Sequence, residues 1–215
     1  MKIITAVLIT LIFSGCLKDK ITANGNMVEV VRDIEDFSGI RKSGATNVHV
    51  DYGEVYEVKL KGSSNLVEHF KTNVSGTTLS VGYRHVNVHD SDIEVFIKTP
   101  GLNKVKLSGS GNVYLRGNFP ADDAFNAEIS GSGDIHLTGS MKFNSFDANI
   151  SGSGKINLLS LETKHADISI SGSGDVQITA TEKLKAKISG SGKVYYSGNA
   201  TVSSNIGGSG KVVKI

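Results

Sequence analysis

A four-residue phrase, Ser-Gly-Ser-Gly, punctuates the second half of this chain, beginning at Ser108, Ser130, Ser151, Ser171 and Ser189, with a degenerate copy from Gly207. The steps shrink from about 22 to about 18 residues, and a period of that size is the mark of a repeat architecture. The flanks repeat too. An aliphatic residue precedes each copy: Leu107, Ile129, Ile150, Ile170, Ile188 and Ile206. Two residues after each copy stand Val113, Ile135, Ile156, Val176, Val194 and Val212, and the positions between are mostly polar. Period-2 alternation on both sides of a glycine-rich corner predicts strand, corner, strand. One such unit cannot bury its apolar face alone, so successive units must stack, Leu107 over Ile129 over Ile150. The fold class expected is all-β, a parallel β-helix or solenoid with Ser-Gly-Ser-Gly corners. Right-handed winding is the default for parallel crossovers. Glycine serves the corner by permitting positive φ and close backbone approach; serine hydroxyls there can bond local backbone groups.

Upstream, Lys42-Ser43-Gly44-Ala45-Thr46-Asn47-Val48-His49-Val50 aligns as a worn seventh copy, with Lys42 in the aliphatic position. Residues 56–61, 78–83 and 93–98 alternate as strands. Ser63 to Phe70 carries the one helix signal, a serine cap followed by Leu66, Val67 and Phe70, two turns at most. An irregular part (28–101) thus precedes regular repeats (102–215). Gly117–Asp123, Thr138–Asn144, Leu161–Lys164, Thr181–Glu182 and Gly198–Thr201 are expected as loops between units.

The amino terminus is of another kind. Met1-Lys2 is followed by an apolar run, Ile3 to Phe13, too short to span a bilayer but suited to a signal peptide over residues 1–15. Phe13-Ser14-Gly15-Cys16 resembles a bacterial lipobox, with Phe13 where Leu is usual. That resemblance implies cleavage before Cys16 and lipidation of its sulfur, and several acyl chains make a stable membrane anchor. Residues 16–27 then form a lipidated tether. No Asp follows Cys16, so inner-membrane retention is not signalled, and the bacterial outer membrane is the expected location, its face left open.

Phe37-Ser38-Gly39-Ile40, Gly62-Ser63-Ser64-Asn65-Leu66, Leu79-Ser80-Val81 and Pro100-Gly101-Leu102, leading into Leu107-Ser108-Gly109-Ser110-Gly111, together resemble the putative auto-transporter adhesin head GIN domain family over about residues 32–213. Such domains are common in lipoproteins and secreted proteins of Bacteroidetes. The resemblance implies a β-helix-like fold over 28–215 and an adhesive or binding role, and it informs fold more than activity.

A net charge of +2 without a clustered basic face argues against a nucleic-acid partner. One Cys excludes an internal disulfide framework and a Cys-only zinc site. Gly-Ser-Gly-Asp at 131–134 and 172–175 lacks the short period of calcium repeats, and Lys155, Lys193 and Lys211 replace the carboxylate at equivalent positions. Of the outward residues there (Asn112, Asp134, Lys155, Asp175, Lys193, Lys211), Asp134, Lys155, Asp175 and Lys193 should form a ladder of alternating charge that fixes register. His85, His89, Asp90 and Asp92 are the densest ligand-like group, yet lack a third ligand at persuasive spacing, so no metal site is assigned. Asp122-Asp123 suits a turn better than an acid–base couple. No nucleophile elbow or dinucleotide fingerprint occurs, so no catalytic residue and no cofactor is assigned.

What remains is a candidate ligand face: Tyr114, His136, Asn157, Gln177 and Tyr195, whose rings and amides could stack on and bond sugars. The leading expectation is a lipid-anchored, non-catalytic envelope protein that binds a glycan or surface protein. A polysaccharide-active enzyme of β-helix type and a self-associating scaffold are the alternatives; open solenoid ends expose strand edges.

Overall fold

The computed structural model describes residues 20–84 and 86–215. Its first part contains β1 (Lys20–Thr22), β2 (Met27–Arg32), β3 (Gly39–Gly44), β4 (Asn47–Tyr52), β5 (Glu57–Ser63), α1 (Ser64–Val67), β6 (Phe70–Ser75), β7 (Thr78–Tyr83), β8 (Asn87–His89) and β9 (Glu94–Thr99). The array follows as β10 (Lys104–Gly109), β11 (Val113–Asn118), β12 (Asp122–Gly131), β13 (Ile135–Gly152), β14 (Lys155–Gly172), β15 (Asp175–Gly190), β16 (Lys193–Ser197), β17 (Thr201–Gly208) and β18 (Lys211–Lys214).

The coils stack in parallel and in register. On the face before the corner, Leu107, Ile129, Ile150, Ile170, Ile188 and Ile206 are successive partners. All but the last are buried. On the face after the corner, Val113, Ile135, Ile156, Val176, Val194 and Val212 stack likewise. Each coil supplies a few aliphatics that the next one covers, so the core is one continuous column of the kind the repeat predicts.

Corner geometry explains the glycines. Gly152 has φ +130°, a conformation that L side chains rarely adopt, and a Cβ there would strike the carbonyl of Gly131 one coil below. Gly154 needs no unusual φ, but a Cβ on it would meet the carbonyl of Gly133. One glycine turns the chain, and the other lets adjacent coils approach. The corner serines contribute backbone instead: the Ser132 and Ser153 N–H groups donate to Gly109 and Gly131 carbonyls at 3.1 and 3.0 Å.

Three expectations change. First, residues 138–144, 161–164 and 181–182 are not loops, because β13, β14 and β15 run through them unbroken. The bends are absorbed by register shifts after His136 and Leu158, with Met141 and Leu161 paired and tucked inward. Gly117–Asp123 and Gly198–Thr201 do contain breaks. Second, the tether stretch is docked from Lys20 onward: β1 pairs in parallel with β8, and Asn24 bonds Ser64 and Asn65. Residues 1–19, with the signal peptide and Cys16, lie outside the described residues. Third, Ser63 does not cap α1 with its side chain; its hydroxyl donates to Asp92 Oδ2 at 2.6 Å.

The worn copy at 42–50 does stack on the array, with Lys42 beside Leu107 and Val48 beside Val113. It is not the end of the stack. The pre-corner face runs β6-β7-β3-β10-β12 into the array, and the post-corner face runs β2-β5-β9-β4-β11. The coil made of β7 and β9 therefore lies outside that of β3 and β4, although it follows it in sequence. The first coil is enclosed between the second and the third. Beyond β7 and β9 the parallel winding stops, since β6, β5 and β2 pair antiparallel.

Candidate functional site

Strand alternation turns every second residue outward, and register aligns the outward residues into rows along the molecule. On the post-corner face, Tyr114, His136, Asn157, Gln177 and Tyr195 are successive partners, so the five candidate residues form one row. The row extends further than sequence order suggests. His49 and Phe96 continue it beyond Tyr114, because β4 and β9 stack there. Phe96, His49, Tyr114 and His136 stack ring on ring, with centroids 5.1, 5.2 and 5.5 Å apart and planes within 15°. The Lys59 ammonium lies 5.9 Å from the Phe96 centroid. Those ring faces are occupied by one another. What this part of the row presents outward is ring edges, and the Tyr114 hydroxyl already accepts from Asn112 Nδ2 at 3.0 Å. His136 Nε2 lies 3.7 Å from Asp134, and His49 Nε2 lies 3.9 Å from Glu94.

The row just after the corner does more than alternate in charge. Side-chain oxygens of one rung accept the backbone N–H of the next: Asn47 from Asn112, Asn112 from Asp134, Asp134 from Lys155 and Asp175 from Lys193, at 2.8–3.0 Å. Asp134 and Lys155 are in-register neighbours, yet the Asp134 carboxylate is spent on a backbone amide. The register is locked by hydrogen bonds more than by the anticipated charge attraction.

A second surface lies on the pre-corner face, where the sequence suggested only corner sterics and local backbone bonding by serine. Ser43, Ser108, Ser130, Ser151, Ser171 and Ser189 are successive partners. Ser130, Ser151, Ser171 and Ser189, with Glu128 and Asn149 among others, line a groove of about 560 Å³. The Lys106–Glu128 ion pair, 2.6 Å long, stands in the groove wall, and Lys187 lines it further along. This is an open, hydroxyl-lined trough running across coils, with rungs about 4.8 Å apart. The signal was present: the first serine of every phrase falls on an outward position of its strand.

Lys42 is the buried cation among the described residues. It occupies the aliphatic column at 1% exposure, and its ammonium donates to the Gly44 and Gly111 carbonyls at 2.7 and 2.8 Å. Burial pulls its pKa down to about 8. It ties its own corner to the next one along the stack. At the capped end, burial works against the Asp92 carboxylate, yet hydrogen bonds from the Ser63 hydroxyl and N–H hold it below the usual range. Burial raises the Tyr83 phenol, whose hydroxyl lies 2.8 Å from that of Ser91. His89 pairs with Asp90 at 2.7 Å, while His85 lies outside the described residues. Among the described residues, no three His, Cys, Asp or Glu side chains converge as a metal set.

Parallel coils, glycine corners and outward rows define a β-solenoid. The chain belongs to the family described as "Putative auto-transporter adhesin, head GIN domain", which matches residues 36–200. No curated protein matches it in sequence. Among solved structures it is similar to a putative adhesin from Bacteroides fragilis, with TM-score 0.66 and 20% identity over 91% of this chain and 100% of that one. It is also similar to a protein from Parabacteroides distasonis described as a putative lipid binding protein, with TM-score 0.57 and 22% identity over 92% and 100%. A putative adhesin from Parabacteroides merdae aligns with TM-score 0.54 and 20% identity over 92% and 99%. At these identities the likeness speaks for the fold. No helix among the described residues is long and apolar enough to cross a membrane.

Proposed function

We propose that the protein is a lipid-anchored, non-catalytic binding protein of the bacterial cell envelope that holds an extended glycan in its serine-lined groove. The observation that carries this reading is the groove itself, about 560 Å³, lined by Ser130, Ser151, Ser171 and Ser189 on successive coils with Ile129, Ile150 and Ile170 between them. A chain of sugars presents hydroxyls along its length and gains from many weak polar contacts in register. The ring row on the other face is less suited to stacking sugars, since its rings cover one another. Its amide end, exposed Asn157 and half-buried Gln177, and Tyr195 beyond, remain as a lesser contact. Asp122 and Asp123 favour a structural role: Asp122 accepts the Asp123 N–H at 2.7 Å, and Asp123 accepts from Asn144 at 3.0 Å.

A glycan array tests this, with the protein compared against Ser130→Val/Ser151→Val and Asn157→Ala. Binding that the groove variant loses and Asn157→Ala keeps supports the reading. Loss through Asn157→Ala alone moves the site to the other face. Release of reducing ends from pectin, alginate or mannan would make the protein an enzyme and end the proposal. For the anchor, Cys16→Ala should shift the protein from the membrane to the soluble fraction.

A further inference from the structure

The serine row of the pre-corner face leads, at the capped end, into a notch of one charge sign. Ser43 is the last serine of the row, beside Ser108. The next strand out, β7, sets Gly82 against it, and a Cβ on Gly82 would strike the Ser43 side chain. That position must stay bare. On the far side of Gly82 its partner on β6 is Lys71. The row therefore drops between Lys71 and Ser43, and the notch there measures about 160 Å³.

Arg41, Lys71 and Arg84 line the notch with Ser43, Ser80 and Asn73, and no Asp or Glu does. All three cations are exposed. Among the described residues none of the three stands in an ion pair. Arg84 Nη2 reaches only a neutral acceptor, Asn73 Oδ1 at 3.4 Å. Arg41 has Ser80 and Lys106 as its in-register neighbours, and the nearest acid along that row, Glu128, is taken by Lys106 at 2.6 Å. Larger concavities on the array mix signs: one is lined by Asp122, Glu162 and Glu182 together with Lys142 and Lys164. Two guanidinium forks and an ammonium around a bare floor make a receptor for an oxyanion, which arginine can hold through two parallel hydrogen bonds.

We infer that this notch takes the carboxylate, sulfate or phosphate group of an acidic glycan, whose sugars continue along the serine row. The notch corresponds to roughly five waters at about 30 Å³ each, room for one anionic group. It is too small for the run of phosphates that a nucleic acid presents. The path of the sugars rests on the glycan reading above; the anion site does not.

Titration calorimetry with the Cys16→Ala chain, which carries no lipid, tests this with galacturonate, sulfated chondroitin and neutral mannan oligosaccharides. An acidic oligosaccharide should bind at least about tenfold more tightly than the neutral one, and added salt should shrink the difference. Arg41→Gln/Arg84→Gln should abolish that preference. Lys155→Gln/Lys211→Gln, which removes two charges from the post-corner face, should preserve it. Equal affinity for acidic and neutral chains, or equal loss in both variants, overturns this inference and leaves the glycan reading standing. Acidic binding that Arg41→Gln/Arg84→Gln loses but Ser130→Val/Ser151→Val keeps supports the notch and ends the groove reading. Binding of no oligosaccharide ends both. Binding to phosphatidylglycerol vesicles without binding to either acidic chain would make the notch a lipid-headgroup site and overturn the inference.

Discussion

The regular array and the capped end are built from the same coil but governed differently. In the array, order in space is order in sequence. Each coil rests on its predecessor, and the repeated glycines are required by the carbonyl beneath them. At the capped end the first coil is enclosed by later ones, its aliphatic position is a lysine, and the outermost strands reverse direction. Repetition suffices to propagate a stack, whereas ending one requires exceptions. Antiparallel strands interrupt the winding, and the enclosed coil is tied to its neighbour by an ammonium bridging two carbonyls.

The contrast can be broken most severely from the array side. Ile150→Asp places a carboxylate between Ile129 and Ile170 and should unfold the repeats, seen as loss of cooperative β-sheet circular dichroism. Ile150→Ala leaves a cavity in the same column and should cost about 2–5 kcal/mol in denaturant unfolding. Gly152→Ala combines a disfavoured φ with a carbonyl clash and should cost about 1–3 kcal/mol.

Lys42→Leu sharpens the comparison, since it converts the enclosed coil to the array's own rule. Removing the buried charge should stabilise the protein by about 1–2 kcal/mol at pH 7. The pH dependence has a definite sign. A folded-state pKa near 8, below the ordinary lysine value of 10.5, means the unfolded chain holds more protons between those values. Wild-type stability should therefore rise with pH from about 8 to about 10.5, and the advantage of Lys42→Leu should shrink across that window. The smallest effect belongs to the exposed row: Asn157→Asp should stay within about 0.5 kcal/mol of wild type.

These differences also explain what the sequence made legible. The columns of Leu107, Ile129 and Ile150 were readable because period 2 within a strand and a period near 20 between coils coincide. The row from Tyr114 to Tyr195 followed from the same two periods. Phe96 escaped that row because its place in it depends on β9 stacking on β4, against chain order, whereas His49 was within reach, since the worn copy sets it where Tyr114 stands in the first full unit. The bends at Met141 and Leu161 looked like loops because polar residues there interrupt the alternation, although the backbone pairs through them. The serine groove was missed because one residue does two things: its backbone sits at the corner and its hydroxyl faces outward.

Disulfide mapping of the enclosed coil tests the central claim most directly. Arg41 and Lys106 are in-register neighbours, whereas Ser80 is separated from Lys106 by Arg41. Adjacent parallel rungs lie about 4.8 Å apart, within reach of a disulfide; two rungs, about 10 Å, are not. Arg41→Cys with Lys106→Cys should oxidise readily in the folded protein, and Ser80→Cys with Lys106→Cys should not. Cross-linking of the second pair but not the first would mean that coils stack in chain order, contradicting the arrangement described.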